Sequence, residues 1–168
     1  MDGPQGRGYK VATGEPKFLT RVLEFIQPEA AMNSLNRFAD PVYCIARLVV
    51  GLMFACHGGQ KILGFPPGGH GSAEGLMLIG GIIELVCGFL IAFGFLTRIA
   101  AFFAAGEMAV AYFMVHAKTG FFPIINKGEL AVAYCWFFLF VLFYGPGRWS
   151  IDALIAKNKA APATAAVT

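Results

Sequence analysis

Four long runs of apolar residues dominate the chain, at about residues 41–57, 74–94, 98–116 and 128–145. Each run is close to the ~20 residues that an α-helix needs to cross the ~30 Å hydrocarbon layer of a bilayer. None alternates apolar and polar positions as a half-buried strand does. Because a backbone inside lipid must satisfy its own polar groups, the runs are predicted to be four transmembrane helices.

The composition agrees with residence in a membrane. Hydrophobic residues make up 57% of the 168 positions, and the mean hydropathy is +0.64. Charged residues make up only 14%, against about 25% in an average soluble domain. The predicted fold is therefore all-α, a four-transmembrane-helix bundle preceded by an N-terminal cytoplasmic amphipathic helix.

The chain outside the helices divides into short segments around a membrane domain at residues 41–155. Residues 1–16 are rich in Gly, Pro and charge, and residues 156–168 are rich in Ala, so both are predicted to be disordered. Residues 17–40 begin with an amphipathic helix. Its apolar face consists of Phe18, Leu19, Val22, Leu23 and Ile26. This helix either lies in the membrane interface or docks a partner, or else it only covers the edge of the bundle.

Basic residues are distributed unequally between the two ends of the predicted helices. Of the 13 Lys and Arg residues, only Lys61, Lys118 and Lys127 fall on the side opposite the N-terminus, and Arg47 lies within the first run. The positive-inside rule therefore predicts that both termini are cytoplasmic. The net charge is +3, but the charges do not cluster into the basic patch that is typical of nucleic-acid binding.

Two carboxylates lie near the middle of neighbouring runs, Glu84 in the second and Glu107 in the third. A charge at the bilayer centre is disfavoured by about 2.5–3.5 kcal/mol, and a short turn makes these two helices antiparallel. Both carboxylates are therefore expected to face a shared interior at matching depth. Such a pair suits proton relay or hydrogen bonding to a quinone-like carbonyl. An equal alternative is a purely structural role, in which the charged side chains only hold the helices together.

Arg47 is the candidate counter-charge for these carboxylates. It lies about ten ångströms into the first helix at ~1.5 Å per residue. Because the carboxylates otherwise lack a cation, Arg47 is expected to pair with Glu84, Glu107 or both. The alternative is that its side chain reaches back to the headgroups at the membrane surface.

Further polar side chains lie near the opposite interface: His57, Lys61, His116 and Glu129. Histidine there suits proton transfer or metal binding, although the leading interpretation is an interfacial hydrogen bond. No His-x-x-x-His or carboxylate–histidine spacing marks a metal site, so no metal is predicted. On an ideal helix His116 lies about 180° from Glu107, so the two need not share a site. His57 and the two glycines after it are predicted to end the first helix.

Short motifs over about residues 40–155 resemble the DoxX family of small bacterial membrane proteins. They occur in the order Ala46-Arg47-Leu48, His57-Gly58-Gly59-Gln60-Lys61, Ile83-Glu84-Leu85, Gly94-Phe95-Leu96-Thr97-Arg98, Glu107-Met108, His116, Gly120-Phe121-Phe122-Pro123, Asn126-Lys127-Gly128-Glu129-Leu130 and Gly145-Pro146-Gly147-Arg148-Trp149-Ser150-Ile151-Asp152. The resemblance implies a four-helix protein of the bacterial inner membrane. The family is named for its similarity to the membrane subunit of a thiosulfate:quinone oxidoreductase, which implies contact with quinone without supplying a reaction.

The leading functional hypothesis is a membrane subunit of a redox or respiratory complex that binds quinone or a lipid-like ligand between its helices. The candidate catalytic residues are Glu84 and Glu107. The candidate ligand-binding residues are Arg47, His57, Lys61, His116 and Glu129. No haem, flavin or iron–sulfur motif is visible, so no intrinsic cofactor is predicted and any electron donor is expected on a partner.

The alternative hypothesis is a non-catalytic membrane anchor or assembly factor that recruits a soluble enzyme through the amphipathic helix. The expected partners are the lipid bilayer and either other redox subunits or a second copy of the chain.

Overall fold

The computed structural model describes residues 29–68, 71 and 73–160, with side chains from residue 35 to residue 159. All the regular secondary structure in this part of the chain is helical. In chain order the α-helices are α1 (Glu29–Leu63), α2 (Gly75–Phe93), α3 (Thr97–Ala111), α4 (Pro123–Asn126), α5 (Glu129–Tyr144) and α6 (Ile151–Ala160). A π-helical turn (Tyr112–His116) and a 3₁₀ turn (Ala117–Thr119) continue α3. The predicted amphipathic helix, at residues 17–27, and the predicted disordered segment 1–16 both lie entirely outside the described residues.

Three described segments are long and apolar enough to cross a membrane: Leu35–Leu63 of α1, the whole of α2, and Thr97–Thr119. Helix α5 is also apolar but shorter, at 16 residues. From Phe38 onward the described chain forms one compact unit, which contains all the packing described below, and residues 29–37 fall outside it. The prediction of an all-helical membrane protein is confirmed.

Helix α1 is longer than its predicted span at both ends, and it continues past His57 to Leu63. The glycines after His57 do not end it, because the backbones of neighbouring residues fill the space beside them. A Cβ atom on Gly58 would lie 2.4 Å from the backbone nitrogen of Leu85. Glycine at this position therefore allows α2 to approach α1, instead of breaking the helix.

The same close approach recurs along the contact between α1 and α2. A Cβ on Gly51 would lie 2.7 Å from the backbone nitrogen of Ala92, and one on Gly88 would lie 2.5 Å from that of Ala55. Membrane helices associate through such close packing of small residues. We call the contact the glycine seam; its members are Gly51, Gly58, Gly81 and Gly88. It fixes the register of α2 against α1.

The apolar core lies chiefly where α3 packs against α5. Small side chains of α3 are buried there: Ala100, Ala101, Ala104 and Ala105. Phe138 of α5 fills the centre and contacts Phe54 of α1, with 4.7 Å between ring centroids. By contrast, large apolar side chains such as Phe102 are exposed on the outer faces of the helices, as expected of a bundle whose surroundings are lipid.

Asp152 joins α6 to the turn between α2 and α3. Its carboxylate accepts hydrogen bonds from the backbone N–H groups of Leu96 and Thr97, both at 2.9 Å, and from the Thr97 hydroxyl at 2.8 Å. The first N–H groups of a helix lack partners within it, so Asp152 caps α3 from a distance in sequence. Partial burial works to raise the pKa of Asp152, but the bonds from Thr97 and Leu96 and the charge of Arg47 lower it overall.

Helix α6 extends to Ala160, so the prediction of disorder from residue 156 is wrong for residues 156–160. The Asp152 contacts anchor its first turn. Lys157 and Lys159 lie in its last turn, where positive charge favours the helix dipole. Residues 161–168 lie outside the described part of the chain.

Candidate functional site

A cavity of about 650 Å³ lies between the end of α1, the start of α2, the second half of α3 and the start of α5. We call this the Lys61 end of the bundle, and the opposite end the Arg47 end. Most of the cavity wall is apolar, with Met77, Ile83 and Phe103 among its residues. Small-molecule pockets usually measure about 300–1,000 Å³, so the cavity has the size of a ligand site.

Seven titratable side chains line the cavity: His57, Lys61, Glu84, Glu107, His116, Lys127 and Tyr134. The first five are among the candidates from sequence, so the fold brings most of those candidates to one place. Across the described residues, no group of three or more His, Cys, Asp or Glu side chains is placed to hold a metal ion.

Glu84 pairs with Lys61 across the contact of α1 and α2. Lys61 Nζ lies 2.8 Å from Glu84 Oε2, although without the directional geometry of a hydrogen bond. Glu84 is only 3% exposed, and a buried carboxylate needs a compensating charge. Lys61 reaches it because the glycine seam holds the two helices in contact.

The prediction that Arg47 pairs with Glu84 or Glu107 is wrong. Arg47 lies at the end of the bundle opposite the cavity and is 1% exposed. It donates hydrogen bonds to the carbonyl oxygens of Ile91, Ala92 and Trp149. The last carbonyls of a helix lack donor partners within it, so the guanidinium joins α1 to the end of α2 and to the segment before α6. Arg47 is therefore a structural residue outside the cavity.

Glu107 shares the cavity with Glu84, as expected of two residues at matching depth. Its Oε1 lies against α2, where a Cβ on Gly80 would be 3.2 Å away. Its Oε2 is buried and has no hydrogen-bond partner among the described residues. One carboxyl oxygen of Glu107 is thus available to a ligand or a proton.

His116 lines the same cavity as Glu107, although an ideal α-helix places them on opposite sides. The chain leaves α-helical geometry at Tyr112 and makes a π-helical turn up to His116. Such a turn is wider than an α-turn and changes the direction of the residues that follow. His116 Nδ1 lies 3.1 Å from the carbonyl oxygen of Asn126. Since a carbonyl only accepts, neutral His116 donates from Nδ1 and leaves Nε2 as an acceptor.

Glu129 does not line the cavity. It is exposed in the first turn of α5, where a carboxylate is favoured by the positive end of the helix dipole. Its predicted part in ligand binding therefore finds no support in the geometry. The remaining sequence candidate, His57, meets the ring of Tyr134 edge-on, with 5.9 Å between centroids.

Two titratable residues of the cavity, Lys127 and Tyr134, are not among the candidates from sequence. Tyr134 is the more deeply buried of the two. It is 5% exposed, and its hydroxyl is buried without a hydrogen-bond partner among the described residues. In the sequence it is one of many aromatic residues in α5. Its hydroxyl is the one signal that points to it, and Tyr144 of the same helix carries that group as well.

Known proteins resemble the chain over most of its length. The model of the DoxX family matches residues 42–117. An uncharacterized protein of Haemophilus influenzae is 42% identical over 134 residues, which are 76% of this chain and 100% of the relative. An inner membrane protein of Escherichia coli, YqjF, is 30% identical over 132 residues, which are 74% of this chain and 99% of the relative.

A third relative, an uncharacterized membrane protein of Mycobacterium tuberculosis, is 30% identical over 138 residues, 71% of this chain and 84% of the relative. No solved structure matches the chain significantly. The matched family region contains the cavity residues from His57 to His116, whereas Lys127 and Tyr134 follow it. The motifs, the helical membrane architecture and these relatives agree: the chain belongs to the DoxX family of membrane proteins.

Proposed function

We propose that the protein binds a quinone in the cavity at the Lys61 end, as a membrane subunit of a redox complex. The observation that carries the proposal is the cavity itself: about 650 Å³ with a largely apolar wall into which two carboxylates, two histidines and two lysines are gathered. Ligand sites are typically apolar with a few polar groups that orient the ligand.

The position of the cavity favours a ligand that is dissolved in the membrane. Its wall includes side chains on the outer faces of α2 and α3 that are more than half exposed, among them Met77, Phe102 and Phe103. In a bilayer these faces lie against lipid tails. A ligand with an apolar tail can therefore enter sideways between α2 and α3 without crossing water.

The polar groups suit both oxidation states of a quinone. A quinone presents two carbonyl acceptors, which need donors such as the Lys127 ammonium. A quinol presents two hydroxyls, which need acceptors, and Oε2 of Glu107 is a buried acceptor that has no donor among the described residues. The two states interconvert by two electrons and two protons. Glu84 and Glu107 are the proposed proton carriers, and the electrons are exchanged with a redox subunit bound as a partner.

The test is the binding of decylubiquinone, a short-tailed quinone, to the purified protein in lipid nanodiscs, with a variant that fills the cavity. Gly106 lines the cavity, and a Cβ built on it meets nothing within 4 Å. Gly106→Phe should therefore occupy the cavity without disturbing the backbone and weaken binding roughly tenfold or more.

Ile99→Phe is the matched control, because Ile99 lies on the exposed face of α3 and does not line the cavity. It should bind the probe as the wild type does. Absence of saturable binding to the wild type, or equal binding to Gly106→Phe, would reject the proposal.

A further inference from the structure

The hydroxyl of Tyr134 differs from those of the other buried tyrosines. Tyr43 donates its hydroxyl hydrogen bond to the carbonyl oxygen of Gly145, and Tyr112 donates to that of Phe121. Tyr134 is as deeply buried, at 5% exposed, but has no partner within the described part of the chain. Leaving a buried hydroxyl unpaired destabilises a protein. We therefore expect the Tyr134 hydroxyl to bind a partner from outside the chain.

The ring of Tyr134 is held in one orientation by its neighbours. It stacks on Phe138 with an interplanar angle of 10°, contacts Phe54 at 5.3 Å between centroids, and meets the edge of His57. All three contacts restrict the ring while the residue lines the cavity. A donor that is fixed before binding loses little conformational freedom when the ligand arrives.

We propose that the Tyr134 hydroxyl donates a hydrogen bond to a carbonyl oxygen of the bound ligand and thereby selects a neutral carbonyl compound. This inference rests on the proposed quinone function, and it identifies the Tyr134 hydroxyl as the group that recognises a quinone carbonyl. A phenol is an uncharged donor, and the charge of Lys61, which lines the same cavity, is already compensated by Glu84. The site around Tyr134 therefore suits a neutral carbonyl better than a carboxylate or a phosphate.

Two sources supply such a carbonyl in a membrane: the ring of a quinone and the ester groups of a phospholipid. The apolar wall accepts the tail of either. Two aromatic rings in contact with each other, those of Tyr134 and His57, line the cavity. They favour a flat ring, because aromatic pairs gain from stacked or edge contacts. The quinone is therefore the source that we expect.

The experiment compares the wild type with Tyr134→Phe, which keeps the ring and removes the hydroxyl. The dissociation constant for decylubiquinone should rise about tenfold, since one hydrogen bond to the ligand is lost. The carbonyl stretching band of the bound quinone in the infrared spectrum should move to higher wavenumber. The melting temperature of the ligand-free protein should stay the same or rise, because no internal hydrogen bond is removed.

Tyr43→Phe is the matched control at the Arg47 end. It loses the hydrogen bond to Gly145 and should lower the melting temperature while it leaves the affinity for decylubiquinone unchanged. The phospholipid arm uses short-chain diacyl phosphatidylcholine as competitor. Competition for the quinone that disappears in Tyr134→Phe would identify an ester carbonyl as the natural occupant and overturn the quinone assignment.

The remaining outcomes separate this inference from the function on which it rests. If the wild type binds decylubiquinone and Tyr134→Phe binds it equally well, the role of Tyr134 is wrong and the proposed function stands. If Tyr134→Phe lowers the ligand-free melting temperature as Tyr43→Phe does, the hydroxyl has an internal partner and the inference fails. If the wild type binds no decylubiquinone, both are rejected.

Discussion

Lys61 and Glu84 form an ion pair between α1 and α2, with 2.8 Å between Nζ and Oε2. The contact depends on the glycine seam, since a Cβ on Gly81 would lie 3.2 Å from the Cβ of Lys61. Glu84 is buried while Lys61 is partly exposed at the wall of the cavity. The packing of two helices thus decides which cation compensates the charge inside the candidate site.

Replacing Lys61 with Met should destabilise the protein, because it leaves the Glu84 carboxylate buried without a counter-charge. We expect a loss of about 1–3 kcal/mol, below the cost of breaking a fully buried pair since Lys61 is partly exposed. Glu84→Gln in the same protein should recover part of that loss, so the double variant should lose less than the sum of the single variants. Unfolding in detergent measures all four proteins.

Lys118→Met is the control for this series, because Lys118 is exposed at the same end and should change stability little. Additive effects of Lys61→Met and Glu84→Gln would show that the two side chains do not interact.

Gly58→Ala should destabilise the bundle although it adds a single methyl group. The new Cβ would lie 2.4 Å from the backbone nitrogen of Leu85 and 2.5 Å from the carbonyl oxygen of Gly81. Backbone atoms cannot turn aside as a side chain does, so α1 and α2 must separate, at a cost of about 1–3 kcal/mol or more. The midpoint of thermal unfolding measures the change.

Gly106→Ala makes the same chemical change in α3, where a Cβ meets nothing within 4 Å. Alanine favours helix over glycine by up to about 1 kcal/mol, so this control should be neutral or stabilising. Similar effects of the two variants would mean that the glycine seam is not in close contact.

The positions of the apolar helices could be predicted from the sequence because apolar runs are a local property. Helices α2 and α5 begin and end close to the predicted bounds, and α3 reaches its predicted end at His116 through the π-helical turn. The end of α1 could not be predicted, because a glycine favours a turn unless a neighbouring helix occupies the place of its side chain. Only the folded chain shows that α2 fills the space beside Gly58.

The residues of the candidate site could likewise be predicted where the signal is local, and not where it depends on packing between helices. A carboxylate inside an apolar run implies a protein-lined interior, which correctly brought Glu84 and Glu107 to one cavity. The identity of the counter-charge depends on the register between α1 and α2, which no periodicity within one helix reveals. Tyr134 was not predicted as a site residue, because an aromatic residue in an apolar helix usually packs against its neighbours. Only the folded structure shows that its hydroxyl has no partner among the described residues.

Asp152 should make the stability of the protein depend on pH in the acid range. Its pKa is lowered in the folded protein, since the hydrogen bonds from Thr97 and Leu96 and the charge of Arg47 outweigh the effect of burial. A lowered folded pKa contributes stability above the unfolded value of about 3.9, and this is lost as pH falls through the folded pKa. The wild type should therefore be more stable than Asp152→Asn at neutral pH.

The measurement is the melting temperature of both proteins between neutral pH and about pH 2.5, below the unfolded carboxyl pKa. The advantage of the wild type should shrink as the pH falls below about 4. Asp40→Asn serves as the control, because Asp40 pairs with Arg148 at 3.1 Å on an exposed surface, where such pairs contribute at most about 1 kcal/mol. An advantage that does not change with pH would exclude the charge of Asp152 as its cause.

Arg47→Lys should lower the stability of the bundle without changing the affinity of the cavity for its ligand. The planar guanidinium donates in several directions at once, to the carbonyl oxygens of Ile91 and Ala92 on α2 and to that of Trp149. A lysine ammonium keeps the charge but cannot span these acceptors with its single nitrogen. We expect a loss of about 2–4 kcal/mol in the free energy of unfolding, measured in detergent. Affinity for decylubiquinone, measured below the lowered melting temperature, should stay unchanged because Arg47 does not line the cavity. Weaker binding with unaltered stability would instead place Arg47 with the carboxylates, as the sequence alone suggested.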